Sequence, residues 1–426
     1  MERIRALLVG RRLLIAGYGR EGQSSERLLR ELCPESPLTV AHDDRELSSL
    51  LATGGGYDWI VKSPGIPLSK IPPQVDPSRI TSQTDLFLQV YADRTVGVTG
   101  TKGKSTTTAL IGHMLRCGLP GPVVVAGNMG VPLFDILPQM TSDTTVVAEL
   151  SCHQLQGIRR APHTGVLLNL YQEHLDHYRD YRDYQMAKLQ IMLRQQPGDV
   201  CYYCADSSDL AHIVAEQRSR MPGQVVAYSL AEAEADVSWH WSTALAGSHN
   251  RSNIFVARQV ASRLGVGAEI CERALATFEG LPHRLQRVGT RKGITFYNDS
   301  ISTIPEATVA ALQALPDTET LILGGYDRGI DYTPLVEHLT RQDSSTKVRN
   351  LVFVGAAGRR IARMLAGRGS WQTLCCDDYA RIVAWCYEHT TPGHICLLSP
   401  AAASYDSFKN FEERGETFCR LAMGNS

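Results

Sequence analysis

Val98-Thr-Gly-Thr-Lys-Gly-Lys-Ser-Thr-Thr-Thr108 decides how the rest of the chain is read. It follows an apolar, strand-like run at 95–98 and leads into a helical pattern over 106–115. A glycine turn between strand and helix aims backbone N–H groups at one point on the helix's positive end, where phosphate can sit. Lys104 can reach the β/γ-phosphates, and the Ser105 hydroxyl can hold magnesium. Gly100, Thr101, Lys102, Gly103, Lys104, Ser105 and Thr106 are therefore expected to cradle ATP or a similar nucleotide. The spacing departs from the common phosphate loop, since five residues rather than four separate Gly97 from Gly103. An ordinary exposed Gly/Ser/Thr turn is the bland alternative, and strand, loop and helix standing in the required order speak against it.

The chain has 426 residues, enough for about three domains. Its 43 basic and 44 acidic residues leave no net field to attract nucleic acid or a membrane surface. The first ten residues lack the apolar core of a secretory leader, and no run approaches the roughly 18 apolar residues of a spanning helix. A cytoplasmic monomer without membrane insertion is expected. The 11 cysteines show no framework spacing: Cys201-Tyr-Tyr-Cys204 is a CxxC without a second pair, and Cys375-Cys376 are adjacent. Reduced thiols are the expectation.

Short apolar runs alternate with amphipathic stretches in three α/β blocks. Residues 1–93 hold strand-like runs at 13–16, 38–41 and 59–61 and a helix over 21–32. Residues 94–281 hold the nucleotide loop and buried-strand runs at 123–126, 146–150 and 165–170. Residues 282–426 hold strands at 320–323, 351–354 and 395–398, helices over 306–315, 334–341, 359–365 and 378–388, and a final helix over 407–421. The pattern predicts an α/β protein of three domains: Rossmann-like at the N-terminus, a central P-loop ATPase-type parallel sheet, and Rossmann-like at the C-terminus, with ligands at the strand C-termini. Gly17-Tyr-Gly19-Arg-Glu-Gly22 matches GxGxxG between strand and helix, with Asp43 or Asp44 where a ribose-binding acid would stand. Beside a separate ATP loop, this turn is better read as holding a second, phosphate-bearing substrate.

Glu149-Leu-Ser-Cys-His-Gln154 ends a central strand, where an acid beside triphosphate can hold magnesium directly or through water. Asn169-Leu-Tyr-Gln-Glu-His174 follows another strand, and Lys188 lies in Tyr184-Gln-Met-Ala-Lys-Leu-Gln190. By themselves, a lone histidine and a helix-face lysine read as readily as structural or solvated residues. Taken together with Gly280-Leu-Pro-His-Arg-Leu285, Tyr297-Asn-Asp-Ser300 and the Thr-Gly-Thr-x-Gly-Lys-Ser loop, these motifs resemble the Mur ligases, ATP-dependent enzymes that form amide bonds in peptidoglycan synthesis.

The resemblance implies a UDP-sugar on the N-terminal domain, held by Gly17, Tyr18, Gly19, Arg20, Asp43, Ser63, Pro64 and Gly65 and by a loop at Ser82-Gln-Thr-Asp85, with Asn128 and Gln154 also in that site. It implies that Asn250 and Asn253 contact adenine, that Arg284 reaches phosphate and that Asp299 reaches ribose. Ser105, Glu149, His174 and Lys188 would hold two magnesium ions, Lys188 as a carbamate. A protonated amine cannot ligate a metal, whereas adding CO2 makes it an oxygen donor suited to a hard cation. His174 and Lys188 would be about 21 Å apart on one continuous helix, so the chain must turn near 180–184 for both to serve one site. Lys104, His174, Lys188 and Arg284 form the expected catalytic group.

Ser399-Pro-Ala-Ala-Ala-Ser-Tyr-Asp-Ser-Phe-Lys-Asn-Phe-Glu-Glu-Arg-Gly415 narrows the resemblance to the branch that joins glutamate to UDP-N-acetylmuramoyl-L-alanine. It implies amino-acid binding by Ser404 and Phe411, with Thr303 and Arg328. Members that add D-glutamate carry Asp-Ser-Lys-Ala-Thr, where this chain has Asp299-Ser-Ile-Ser-Thr303. Ile301 thus replaces a lysine that pairs with a glutamate carboxylate, and Arg328 stands for a further lysine in Gly324-Gly-Tyr-Asp-Arg-Gly329. The Asp-Ser-Ile-Ser-Thr form resembles a subgroup that adds L-glutamate, so L-glutamate is the expected amino acid and D-glutamate the alternative. A folylpolyglutamate synthase, or a ligase adding diaminopimelate or lysine, would show a pterin-site loop or a basic amino-acid motif, and neither is present. Intact Lys104, Glu149, His174, Lys188 and Arg284 argue against a regulatory module that has lost catalysis. A dehydrogenase built on Gly17 to Gly22 would need a hydride-transfer site that the sequence lacks.

Overall fold

Each apolar run read from the sequence becomes a strand in one of three sheets of the computed structural model, which describes residues 1–52, 56–173, 177–245, 247–341 and 347–424. The first sheet contains β1 (Leu13–Ala16), β2 (Leu38–Ala41), β3 (Trp59–Lys62) and β4 (Ile80–Thr81), all parallel, in the order β2-β1-β3-β4. The second contains β5 (Thr95–Thr99), β6 (Val123–Gly127), β7 (Thr145–Glu149), β8 (Thr164–Leu167), β9 (Val200–Cys204) and β10 (Gln224–Tyr228), parallel in the order β10-β9-β8-β5-β7-β6. The third contains β11 (Gln286–Arg291), β12 (Ile294–Asn298), β13 (Thr318–Gly324), β14 (Asn350–Val354), β15 (Gln372–Cys375) and β16 (Ile395–Leu398), ordered β11-β12-β16-β13-β14-β15. There β11 pairs antiparallel with β12 and the other pairings are parallel.

β5, β8, β13 and β14 are buried at every position, because helices cover both faces of a parallel sheet. That double covering is why these strands read as continuous apolar runs rather than alternating ones. The strand order reverses beside β1 in the first sheet and beside β5 in the second, which opens a crevice at the strand C-termini.

The chain divides into two compact units, Met1–Trp241 with Arg251–Leu275, and Ser242–Asn250 with Ala276–Ser426. The first unit holds the first two sheets. One apolar cluster runs through it from Ile4, Leu8 and Leu28 by way of Phe87, Phe134 and Leu155 to Tyr184 and Ile191. In the second unit, alternate residues of the third sheet feed two clusters: Leu321, Leu323, Phe353 and Leu397 in one, Phe296, Ile322, Val352 and Leu398 in the other.

Two expectations are revised. The helix after the nucleotide loop spans Lys104–Gly118, starting directly after left-handed Gly103; its Lys-Ser-Thr-Thr-Thr opening hides the apolar period. The last helix is Phe411–Met423, because the Asn410 side chain caps it by accepting from the Glu413 N–H at 2.9 Å. Cys201 and Cys204 sit three residues apart on β9, hence on opposite sheet faces, so the CxxC does not form a joint site. Among the described residues, no helix is long and apolar enough to cross a membrane.

Candidate active site

The nucleotide loop joins β5 to its helix through Gly100 (φ 148°) and Gly103 (φ 86°), conformations that L side chains rarely adopt. A Cβ added at Gly103 would come 3.0 Å from Asn253 Oδ1, so the asparagine amide lies against the loop. Asn169, just past β8, holds the loop from the other side. Its Oδ1 accepts from Thr101 N at 3.0 Å and Lys102 N at 2.8 Å, and its Nδ2 donates to the Lys102 carbonyl at 3.1 Å. The Thr101 hydroxyl accepts from Tyr171 N at 2.9 Å and meets the Tyr184 hydroxyl at 2.7 Å. Asn169 and Tyr184 were not foreseen as loop supports, because their partners lie about 70 to 80 residues away in sequence.

Within the loop, Lys104 Nζ donates to the Thr101 carbonyl at 2.9 Å, and burial lowers its pKa against the pull of Glu149 and Glu173. Lys102 is exposed and pairs with Glu173 at 2.6 Å. Ser105 is half-buried and Thr106 buried in the first turn of the helix.

Glu149 closes β7 directly across from Val98 of β5. It is 2 % exposed; Oε1 accepts from Asn128 Nδ2 at 2.6 Å, while Oε2 is buried without a hydrogen-bond partner. A buried carboxylate oxygen left open beside a glycine phosphate cradle is a fit for magnesium, which prefers a few protein oxygens together with phosphate and water. Lys188 lies on the helix Tyr181–Leu193, whose start is capped by Asp180, so residues 181–184 form its first turn. It is a buried residue rather than a solvated one: Nζ donates to the Gly100 carbonyl at 2.7 Å, and burial, with Lys104 nearby, pulls its pKa down to about 7. His174 lies outside the described residues. Among the described residues, no group of three or more His, Cys, Asp and Glu could hold a metal alone.

The glycine turn after β1 has the geometry its motif demands. Gly17 has φ 91°, and a Cβ at Gly22 would lie 2.1 Å from the Gly17 carbonyl. The Ser63 hydroxyl donates to that carbonyl at 2.8 Å, joining the loop of Pro64 and Gly65 to the turn. Tyr18 donates to Glu26 at 2.5 Å and stacks edge-on with His42. Asp43 caps the helix Asp44–Ala52 by accepting from Glu46 N at 2.8 Å, and Asp44 pairs with Lys70. Residues of the second sheet reach this turn: Arg20 donates to the Gly130 carbonyl, and Gln154 Nε2 donates to Glu21 Oε1 at 2.6 Å. Lys62, buried at the end of β3, donates to the Ile66 carbonyl at 3.0 Å, and burial takes its pKa to about 8; burial also raises that of Glu21. In Ser82-Gln-Thr-Asp85, Gln83 donates to Ser24 and Ser25, and Asp85 is buried against the Arg159 guanidinium, so this stretch ties elements together.

In the second unit, Asp299 is buried at the end of β12. It accepts from Leu285 N at 3.0 Å and from the Ser399 hydroxyl at 2.8 Å, and burial raises its pKa to about 6. Arg284 is exposed between His283 and Leu285, both with positive φ (63° and 42°), in a turn held by this Asp299 contact. Arg328 donates to the Thr303 carbonyl at 2.8 Å. Ser404 is buried, and Phe411 begins the last helix, its ring edge-on to His283. Asn250 and Asn253, on the helix Ser248–Arg263, are both buried.

Residues 98–262 match the Mur ligase middle domain, and residues 283–402 match the Mur ligase glutamate ligase domain. A UDP-N-acetylmuramoylalanine–D-glutamate ligase of Solibacter usitatus is 33% identical, with 98% of each chain covered. One of Lacticaseibacillus paracasei is 32% identical across 96% of this chain and 95% of its own. Among solved structures, a MurF ligase from Thermotoga maritima in complex with ADP superposes with a TM-score of 0.60 at 16% identity, covering 99% and 97% of the two chains. A UDP-N-acetylmuramate-alanine ligase, MurC, from the same organism gives 0.59 at 16% identity, covering 98% and 100%. These structures share the fold of three sheet-bearing domains.

Proposed function

The chain belongs to the Mur ligase family of ATP-dependent, amide-bond-forming ligases, and on that premise we propose that it joins glutamate to UDP-N-acetylmuramoyl-L-alanine through an acyl phosphate, in the cytoplasm. The observation that carries the reading is the cluster on the second sheet: Lys104 in the glycine loop, the open oxygen of Glu149 across from Val98, and the buried amine of Lys188 on the Gly100 carbonyl. A phosphate loop alone fits hydrolysis as well as transfer. A second set of groups facing the same loop supports a second reacting species, the carboxylate.

In this reading the loop N–H groups and Lys104 hold the ATP phosphates, and the substrate's terminal carboxylate attacks the γ-phosphorus with ADP leaving. The acyl phosphate makes phosphate the leaving group, in place of oxide. The glutamate amine then attacks the carbonyl carbon, and the tetrahedral adduct collapses to the amide, phosphate and a proton. Ser105, Glu149 and, as its carbamate, Lys188 would hold magnesium, with His174 added by family resemblance; two such ions supply neutralisation of phosphoryl charge. Burial lowers the Lys188 pKa to about 7 and so enlarges the neutral-amine fraction, the form that reacts with CO2. Gly17, Arg20, Ser63, Asn128 and Gln154 would bind the UDP-sugar. The Asn253 amide lies against Gly103 of the loop, and the resemblance implies nucleotide-binding roles for Asn250, Asn253, Arg284 and Asp299.

For the amino acid, the names of the relatives favour D-glutamate over the L-glutamate expected from the Asp-Ser-Ile-Ser-Thr motif, and we take the D isomer as the first reading. One observation supports L-glutamate as a second: Ile301 places no cation beside Thr303, and Arg328 is drawn onto the Thr303 carbonyl. Phosphate release from ATP with UDP-N-acetylmuramoyl-L-alanine, compared with D-glutamate, L-glutamate and neither, tests both. Release that depends on D-glutamate is expected; strict dependence on L-glutamate would replace the first reading by the second, and release with neither would remove both.

A further inference from the structure

Arg414, in the first turn of the helix Phe411–Met423, is 1 % exposed and among the largest fully buried side chains described. A buried guanidinium is costly unless its donors and its charge are both met. Its donors are met by neutral acceptors: Nε reaches Ser300 Oγ at 2.9 Å, Nη2 the Ser300 carbonyl at 2.7 Å, and Nη1 the carbonyls of Ala402 at 3.1 Å and Ala403 at 3.3 Å. Asp406, the carboxylate among the described residues that acts on its charge, is exposed. Among the described residues, this buried positive charge is met by no buried carboxylate.

The contacts of this side chain mark out a region. Ser300 follows β12 and leads to Ile301 and Thr303. Its hydroxyl also donates to the Phe411 carbonyl at 2.8 Å, so it links Arg414 to the start of the last helix. Ala402 and Ala403 precede Ser404 after β16. Gly325, after β13 and ahead of Arg328, lies so close that a Cβ there would be 3.2 Å from Arg414 Nη1; Tyr326 N bonds the Ala403 carbonyl at 2.9 Å. One planar fork thus bonds the loops after β12 and β16 and lies against the loop after β13, the loops that supply residues expected to bind the amino acid. Glutamate brings two carboxylates and one ammonium, a net negative charge, to a pocket with isoleucine at position 301.

Resting on the glutamate reading above, we propose that Arg414 is the positioning residue of the glutamate subsite, fixing the loops after β12, β13 and β16 and lending the pocket the positive potential absent at Ile301. Its donors are occupied and it is buried, so it acts through these loops without touching the amino acid.

Arg414→Met, Arg414→Lys and Ser300→Ala in the full chain test this, with half-saturation for each substrate read by phosphate release. Arg414→Met removes charge and fork and is expected to raise the glutamate KM about a hundredfold; Arg414→Lys keeps the charge and should raise it about tenfold. Ser300→Ala, which cuts the link to Phe411, should raise it several-fold. KM for ATP and for UDP-N-acetylmuramoyl-L-alanine should stay within about threefold, a split that general loosening of the fold would not give. Preference for glutamate over glutamine should fall in Arg414→Met and persist in Ser300→Ala. An Arg414→Met protein that melts like the wild type with an unchanged glutamate KM overturns the proposal alone, as does an equal rise in all three KM values. If Arg414→Met does not fold, Arg414→Lys and Ser300→Ala decide by the same split. A wild type idle with both glutamate isomers overturns the functional reading and this proposal with it.

Discussion

Replacing Asn169 by alanine tests whether the nucleotide loop is held in shape before ATP arrives. The side chain makes three hydrogen bonds to the loop, two accepted by Oδ1 and one donated by Nδ2. They do not count equally. Thr101 N also bonds the Asn169 main-chain carbonyl at 3.0 Å, which alanine keeps. The N–H and carbonyl of Lys102 belong to an exposed residue and can turn to water, so each lost bond weighs at its ordinary net value of about 1 kcal/mol rather than the larger cost of a buried orphan. The sum is about 2 kcal/mol of loop order, or roughly thirtyfold in kcat/KM for ATP. The assay is ATP-dependent phosphate release at saturating UDP-N-acetylmuramoyl-L-alanine and glutamate, with the melting temperature as a check on folding. A folded variant whose kcat/KM for ATP stays within threefold of wild type would refute the idea that Asn169 preorganises the loop.

Two further outcomes are expected. Lys188→Ala should abolish ligation, and short carboxylic acids that fill the vacated space should restore part of it; undiminished activity of the alanine variant in CO2-free buffer would sink the carbamate assignment. Burial raises the Asp299 pKa from an ordinary value near 4 to about 6, so the folded state holds this proton more tightly than the unfolded chain does. Its contribution to stability is then fully present below pH 4 and is lost as pH rises through 6; Asp299→Asn should melt with a shallower pH dependence between 4 and 6, and an identical slope in thermal scans of the two proteins would contradict this.

Several short apolar runs were legible as strands: β1, β2 and β16 begin and end where the sequence places them. The weaker signals were lost. β9 and β10 mix cysteine, tyrosine and valine on the flank of the sheet, and the hairpin of β11 and β12 turns at Lys292-Gly293, both with positive φ, a cue that the basic and polar residues around it concealed. At the site, Lys104, Glu149 and Lys188 could be picked out because short motifs carry them. Asn169, Glu21 and Arg414 could not. Each draws its meaning from partners distant in the chain, and only the folded state assembles those neighbourhoods.

The bonds from Arg20 to Gly130 and from Gln154 to Glu21, together with the apolar cluster running from Ile4 to Ile191, make the first two sheets one body. This bears on how such a chain can diversify. On the proposed function, the part assigned to the nucleotide carrier cannot be exchanged for another without recutting that shared core, whereas the sheet assigned to the amino acid folds around clusters of its own and can change its preference by drift within a few loops. New amino-acid choices are thus open to a descendant by local substitution, while the nucleotide carrier stays inherited.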